Sequence, residues 1–247
     1  MLIFCLSWDL EIAKSKLNEC DEKHSCRGAQ DLPTRLLDLG IAGADRIKLV
    51  ITAGKDIEDR RYAALSYCWG SSTPFTTQPS TLCKRLEGFV LSEVPATLRE
   101  SIQVSRDLGI RYLWIDALCI LQGSPGDAEA QEDWQRESVC MNKVYGNAYL
   151  TIVAAGSSDC SGGLIHGRPT CTDRGERVAF RDEPISRRAW AHQEWLLSGR
   201  LLVFTTIGMH FVCDEWEFPA FHASHAFRLP KSQAELTKGD WSYSHRP

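Results

Sequence analysis

Apolar, strand-like runs alternate with helical spans along most of this chain, and several runs stop at polar residues and tryptophan. Three blocks carry the pattern: Arg61-Tyr-Ala-Ala-Leu-Ser-Tyr-Cys-Trp-Gly70, Leu108-Gly-Ile-Arg-Tyr-Leu-Trp-Ile-Asp-Ala-Leu-Cys-Ile-Leu-Gln122 and Arg188-Ala-Trp-Ala-His-Gln-Glu-Trp-Leu-Leu197. Strands are expected at 62–67, 111–115, 149–155 and 201–205. Helices fill the gaps, one from Pro95 to Gly109, one capped by Asp133 and stopped by Gly146-Asn147, and one capped by Ser186 and ended by Gly199. Strands joined in parallel need helical crossovers, and near-continuous apolar strands are covered on both faces. The alternation therefore predicts an α/β domain, an open parallel sheet with helices on both faces. In such a sheet, residues just past the carboxyl ends of the strands share one crevice, where ligands bind.

Punctuation sets the flanks. Runs at 36–39 and 46–52 read as an antiparallel strand pair ahead of the first parallel strand. Residues 1–30 read as a helical lead-in, with Leu10, Lys14 and Leu17 at helical spacing, and residues 31–217 as the main domain. A strand at 209–213 closes the ordered part, and residues 218–247 lose periodicity and read as a loosely held tail.

A net charge of −4, with no dense Lys/Arg run, gives no electrostatic footprint for nucleic acid or an anionic membrane. The apolar start lacks a positive leader and a cleavage site, and Asp9 and Glu11 interrupt it well short of a membrane span. Ten cysteines are scattered, some inside apolar runs (Cys68, Cys119), and are expected to be reduced thiols in a cytoplasmic protein. Their apolar neighbours and the lack of a nearby histidine make Cys68 and Cys119 poor nucleophiles. One cluster, Cys20-x3-His24-x-Cys26, has metal-ligand residue types. It lacks the paired spacing of a zinc finger and shows no fourth ligand, so a turn that packs its thiols is expected rather than a metal.

The blocks Tyr62-Ala-Ala-Leu-Ser-Tyr-Cys-Trp-Gly70 and 108–122, Asp133-Trp134, Tyr145-x-Asn147-Ala148 and Ala189-Trp190 with Gln193-Glu194 together resemble the fungal heterokaryon incompatibility (HET) domain. Leu32-Pro-Thr-Arg-Leu-Leu-Asp38 and Gly163-Leu164 extend the resemblance over roughly residues 31 to 217. It implies non-self recognition between fusing hyphae that ends in programmed cell death. HET domains are in turn similar to TIR domains, which implies a TIR-like, flavodoxin-like sheet. Several TIR domains cleave NAD at the nicotinamide–ribose bond with the glutamate of a Trp-x-x-x-Glu segment, here Trp190-Ala-His-Gln-Glu194. The similarity implies NAD as substrate rather than cofactor, a homo-oligomer, and other incompatibility or NLR-type proteins as partners. Relatives usually carry Thr-Leu where this chain has Ala191-His192, and a basic residue where it has Trp195.

Physical chemistry gives Glu194 an independent case. Positions i and i+4 share a helix face, which sets Trp190 beside Glu194. A fixed carboxylate stabilises the positive charge that develops on a ribose as its glycosidic bond breaks, and nicotinamide leaves neutral, without an acid catalyst. The competing reading buries Trp190 and Leu197 and pairs Glu194 with Arg187, Arg188 or Arg200. Asp116, at a strand's carboxyl end, suits a ribose hydroxyl or, equally, a loop cap. Ser66, Tyr67, Trp69 and Gly70 end the first parallel strand and are candidates for the same crevice, with Trp190 and Gln193 opposite. Tyr67 and Trp69 can stack on a base or fill the core. Two functions stand: a TIR-like NAD glycohydrolase with Glu194 as catalytic residue, or a self-associating signalling module without chemistry.

Overall fold

Nine strands hydrogen-bond into one mixed sheet in the structure, a computed structural model that describes residues 3–26, 31–70, 75–164, 182–206, 208–215 and 217–219. The strands are β1 (Arg35–Asp38), β2 (Arg46–Ile51), β3 (Tyr62–Ser66), β4 (Phe89–Val90), β5 (Tyr112–Trp114), β6 (Leu150–Ala154), β7 (Arg200–Thr205), β8 (Gly208–Cys213) and β9 (Glu217–Pro219). Their order is β4-β2-β1-β5-β3-β6-β7-β8-β9. The four central strands, β5, β3, β6 and β7, run parallel, and antiparallel strands extend the sheet on both sides. The expected parallel sheet is therefore its centre, and the expected N-terminal pair is β1 and β2.

Numbered by sequence, the parallel strands lie in the order 2-1-3-4, the arrangement of flavodoxin-like sheets. The chain leaves β3 toward β5 and later returns past β3 to β6. Connections from β3 and β6 therefore diverge, which makes their carboxyl ends the switch point of the sheet. Right-handed crossovers send α3 (Ala96–Asp107) to one face and α5 (Ala128–Ser138), α6 (Met141–Asn147) and α7 (Ala189–Leu197) to the other, where α6 packs on α7. Short helices α2 (Leu82–Glu87) and α4 (Asp116–Cys119) fill the remaining links, and α1 (Ile3–Lys23) lies against β8.

The pleat explains how both faces of the far edge are covered. Leu201 and Val203 of β7 pack with Val212 of β8 and Trp195 of α7, whereas Leu202, Phe204 and Phe211 belong to the main core. That core also takes Leu10, Ala13, Leu17 and Cys20, the helical stripe along α1. Among the described residues no helix is long and apolar enough to cross a membrane.

Two helix boundaries differ from the sequence expectation. Asp127, not Asp133, caps α5, its carboxylate accepting from the Ala130 amide at 3.2 Å. Asp133 lies inside α5, buried, because Arg35 of β1 holds it there in an ion pair, and its Oδ2 also accepts from the Leu121 amide at 2.8 Å. The helix breaks after Ser138, so Trp134 does not share a stripe with Met141 and Tyr145 and stands exposed. Ser186 is likewise not the cap of α7: it sits in a 3-10 turn at Pro184–Arg187, its hydroxyl donating to Glu183, and α7 begins at Ala189 after Arg188. Residues 165–181, and residues 220–247 of the expected tail, lie outside the described residues.

Candidate functional site

Glu194 reaches the carboxyl end of β3. Ala191, Glu194 and Trp195 of α7 and Ser198 just past its end are buried, a stripe with i, i+3, i+4, i+7 spacing. The Ser66 hydroxyl donates to Glu194 Oε2, and Arg188, just ahead of α7, places its guanidinium 4.0 Å from Oε1 while donating to the Tyr67 carbonyl. The Tyr145 hydroxyl of α6 donates to the Leu65 carbonyl at 3.2 Å and favours the ionised form of the Glu194 carboxylate beside it. Asp116 joins from the end of β5. Its Oδ2 accepts from Trp69 Nε1 at 2.9 Å, and its Oδ1 accepts from the Ala117 amide at 2.7 Å, so at the first residue of α4 it satisfies a first-turn amide while facing Trp69 and Tyr67.

Two carboxylates thus share one arginine in a buried pocket of polar groups. Burial raises Glu194 above its ordinary value and Asp116's charge adds to the rise, while Arg188, Ser66 and Tyr145 pull it back. Burial raises Asp116 in the same way, against Arg188, the Ala117 amide, Trp69 and Tyr67. Burial disfavours the Arg188 cation, but Glu194 and Asp116 outweigh it and hold it charged. A titratable cluster of this kind is a feature of reaction centres and also of structural ion networks. Glu194 is 2% exposed, so the carboxylate is enclosed as the chain stands.

Other residues singled out by sequence take different places. Tyr67 and Ser66 are buried, Trp69 is half-buried, and Gly70 is exposed at the end of the block. Gly70 has φ +78°, and an added Cβ would collide with Asp159, so glycine lets the segment after β6 approach the end of β3. Trp190 is 55% exposed and Gln193 is exposed, which corrects the expectation that Trp190 is a buried partner of Glu194. The cause is helix phase. At about 100° per residue Trp190 falls on the margin of the buried stripe and Gln193 on its far side, and the buried indole is Trp195. Cys68 and Cys119 are buried, and burial pushes Cys119 up to about 12, which keeps it protonated and inert.

Tyr145 went unassigned in the sequence because its place beside Glu194 depends on α6 packing against α7. A separate cavity of about 470 Å³ lies between α5, α6 and the segment 52–60, with Glu137, Lys143, Lys55 and Arg60 in its lining. It shares no lining residue with the Glu194 cluster. Elsewhere, β8 brings Cys213 to Cys20, His24 and Cys26, the fourth thiol or imidazole that sequence spacing did not reveal.

Residues 62–177 match the family model described as Heterokaryon incompatibility protein (HET). No curated protein and no solved structure matches the chain. The matched segment starts at the first residue of β3 and includes β5, Asp116, Tyr145 and β6, while α7 with Glu194 follows it. Residues 62–177 of the chain are thus similar to the heterokaryon incompatibility (HET) family, and that segment holds the whole strand-end half of the cluster.

Proposed function

We propose that the HET-like domain of this chain acts in non-self recognition leading to cell death, and that the Glu194 cluster is its reaction centre, hydrolysing NAD at the nicotinamide–ribose bond. The observation that carries this reading is the Ser66–Glu194 hydrogen bond, which joins α7 to the strand ends that also hold Asp116. In the proposed step the C1′–N bond breaks, its electron pair leaves with neutral nicotinamide, and water adds to C1′, releasing one proton. Glu194, ionised, stabilises the positive ribose as it forms, and Asp116 suits a ribose hydroxyl. Because Glu194 is enclosed, substrate reaches it only after Arg188 and the start of α7 move aside, a change that self-association can drive.

A second reading draws on the exposed residues of α7. Trp190 and Leu196 are 55% and 41% exposed, a surface suited to contact between copies, and in that reading the buried cluster only locks α7 onto the sheet. Nicotinamide release from NAD, measured over a wide range of protein concentration, separates the two. Release that Glu194→Gln abolishes in a folded protein supports the enzyme. No release at any concentration leaves the signalling module.

A further inference from the structure

We propose that Cys20, His24, Cys26 and Cys213 form a structural zinc site that fastens α1 to the edge of the sheet. The four ligand atoms lie within 4.8 Å of one another, two from buried and two from half-buried residues. Around a zinc ion with ordinary bond lengths, tetrahedral ligand atoms stand about 3.6–3.8 Å apart, so small side-chain movements close the shell. Three thiolates and one imidazole are a set that selects zinc among common divalent ions, and four protein ligands leave no open position for catalysis.

Local structure aims each ligand. Cys20 and His24 are four residues apart at the end of α1, with the His24 amide donating to the Cys20 carbonyl at 3.0 Å, and so share a face. Cys26 follows as the chain turns out of the helix. The Ser25 amide donates to Glu215 at 3.2 Å, which pins that turn beside the end of β8. Cys213 arrives on β8 from far along the chain, its sulfur 3.3 Å from His24 Nδ1.

The surroundings suit the charge of the filled site. Three thiolates and one zinc ion sum to one net negative charge. Arg200 Nε donates to Cys20 Sγ at 3.2 Å, and its terminal nitrogen is held by Asp21 at 2.7 Å. An arginine fixed in this way both offsets the excess charge and orients a ligand sulfur, the role of outer partners in metal sites. The site also bridges a sequence separation of 189 residues between His24 and Cys213, so the ion closes a long loop and restricts the unfolded chain.

The test is metal content of the full-length protein purified under reducing conditions and supplied with zinc, read by elemental analysis and native mass spectrometry. The expected result is about one zinc per chain. Cys213→Ser is expected to lose most of it, whereas exposed Cys83 changed to serine retains it. Because serine variants can misfold, two further readouts are used. Cys213→His is expected to keep the ion as a two-cysteine, two-histidine site, and cobalt loaded into the wild type is expected to show tetrahedral ligand-field bands with thiolate charge transfer. Chelator treatment of the wild type should lower the melting temperature by about 5 °C or more. Less than about a tenth of a zinc per wild-type chain, octahedral cobalt spectra, or a disulfide among these cysteines in the zinc-supplied protein would overturn the proposal.

Discussion

Ser66, the last residue of β3, donates its hydroxyl to Glu194 in α7, 128 positions further along the chain. A hydroxyl donor favours the ionised carboxylate, and burial opposes it strongly enough that Glu194 lies above its ordinary 4.5. Ser66→Ala should therefore raise Glu194 further. In the proposed reaction the acid limb of the nicotinamide-release profile should move to higher pH in Ser66→Ala. An unmoved limb would show that another group titrates.

Glu194 also has a signature in stability. Its folded value exceeds its unfolded one, so its contribution is fully present below about pH 4.5 and is lost as pH rises through the folded value. Wild-type protein should lose stability relative to Glu194→Gln over that window, checked by denaturant titration at a series of pH values. Parallel curves for the two proteins would refute the assignment.

The two tryptophans of α7 should behave oppositely. Trp195→Ala removes an indole buried with Leu201, Val203 and Val212 and should cost about 3–5 kcal/mol, lowering the melting temperature by roughly 10 °C. Trp190→Ala, at an exposed position, should change stability by less than about 0.5 kcal/mol. Equal losses would mean that the phase of α7 is different.

Arg35 ties β1 to α5 through Asp133 and donates from Nε to the Cys119 carbonyl at 2.6 Å, with Glu137 3.8 Å away. Arg35→Met leaves two buried carboxylates with only the largely exposed Arg136 as cation, 2.5 Å from Asp133 and 3.7 Å from Glu137, and should cost about 3 kcal/mol, measured by urea unfolding. Adding Asp133→Asn and Glu137→Gln should recover much of the loss. A triple variant no better than Arg35→Met would show that the arginine acts through packing alone.

His210 of β8 is buried, and burial lowers it to about 4 from 6.5. Its contribution is present above pH 6.5 and is lost as pH falls toward 4, because the unfolded chain takes up the proton first. The loss amounts to about 3 kcal/mol across that interval. His210→Phe should flatten that limb of the stability profile, and an unchanged limb would assign the acid sensitivity elsewhere.

Legibility in the sequence followed the range of the interactions involved. The parallel strands were readable because Tyr62–Ser66 and Leu150–Ala154 are near-continuously apolar, interrupted only by Ser66 and Thr151, a pattern typical of doubly covered strands. Asp116 was readable as a strand-end acid for the same reason. Asp133 was not, since an acid ahead of a helical run looks like a cap until Arg35, 98 residues away, claims it. Trp190 was misplaced because i, i+4 spacing puts residues on one side of a helix without saying which side faces the sheet. That phase is set by the pairing of Trp195 with β7 and β8. Cys213 joins Cys20, His24 and Cys26 only through strand order, which spacing does not encode.

Strand β3, laid down early in the chain, has both of its neighbours, β5 and β6, downstream. During synthesis its two ladders stay incomplete until residue 154 has emerged, and a largely apolar segment waits with both edges open. Nascent chains of this domain are accordingly most exposed to mispairing between the appearance of Tyr62 and that of Ala154, a period in which a holding chaperone protects yield more than any gain in final stability.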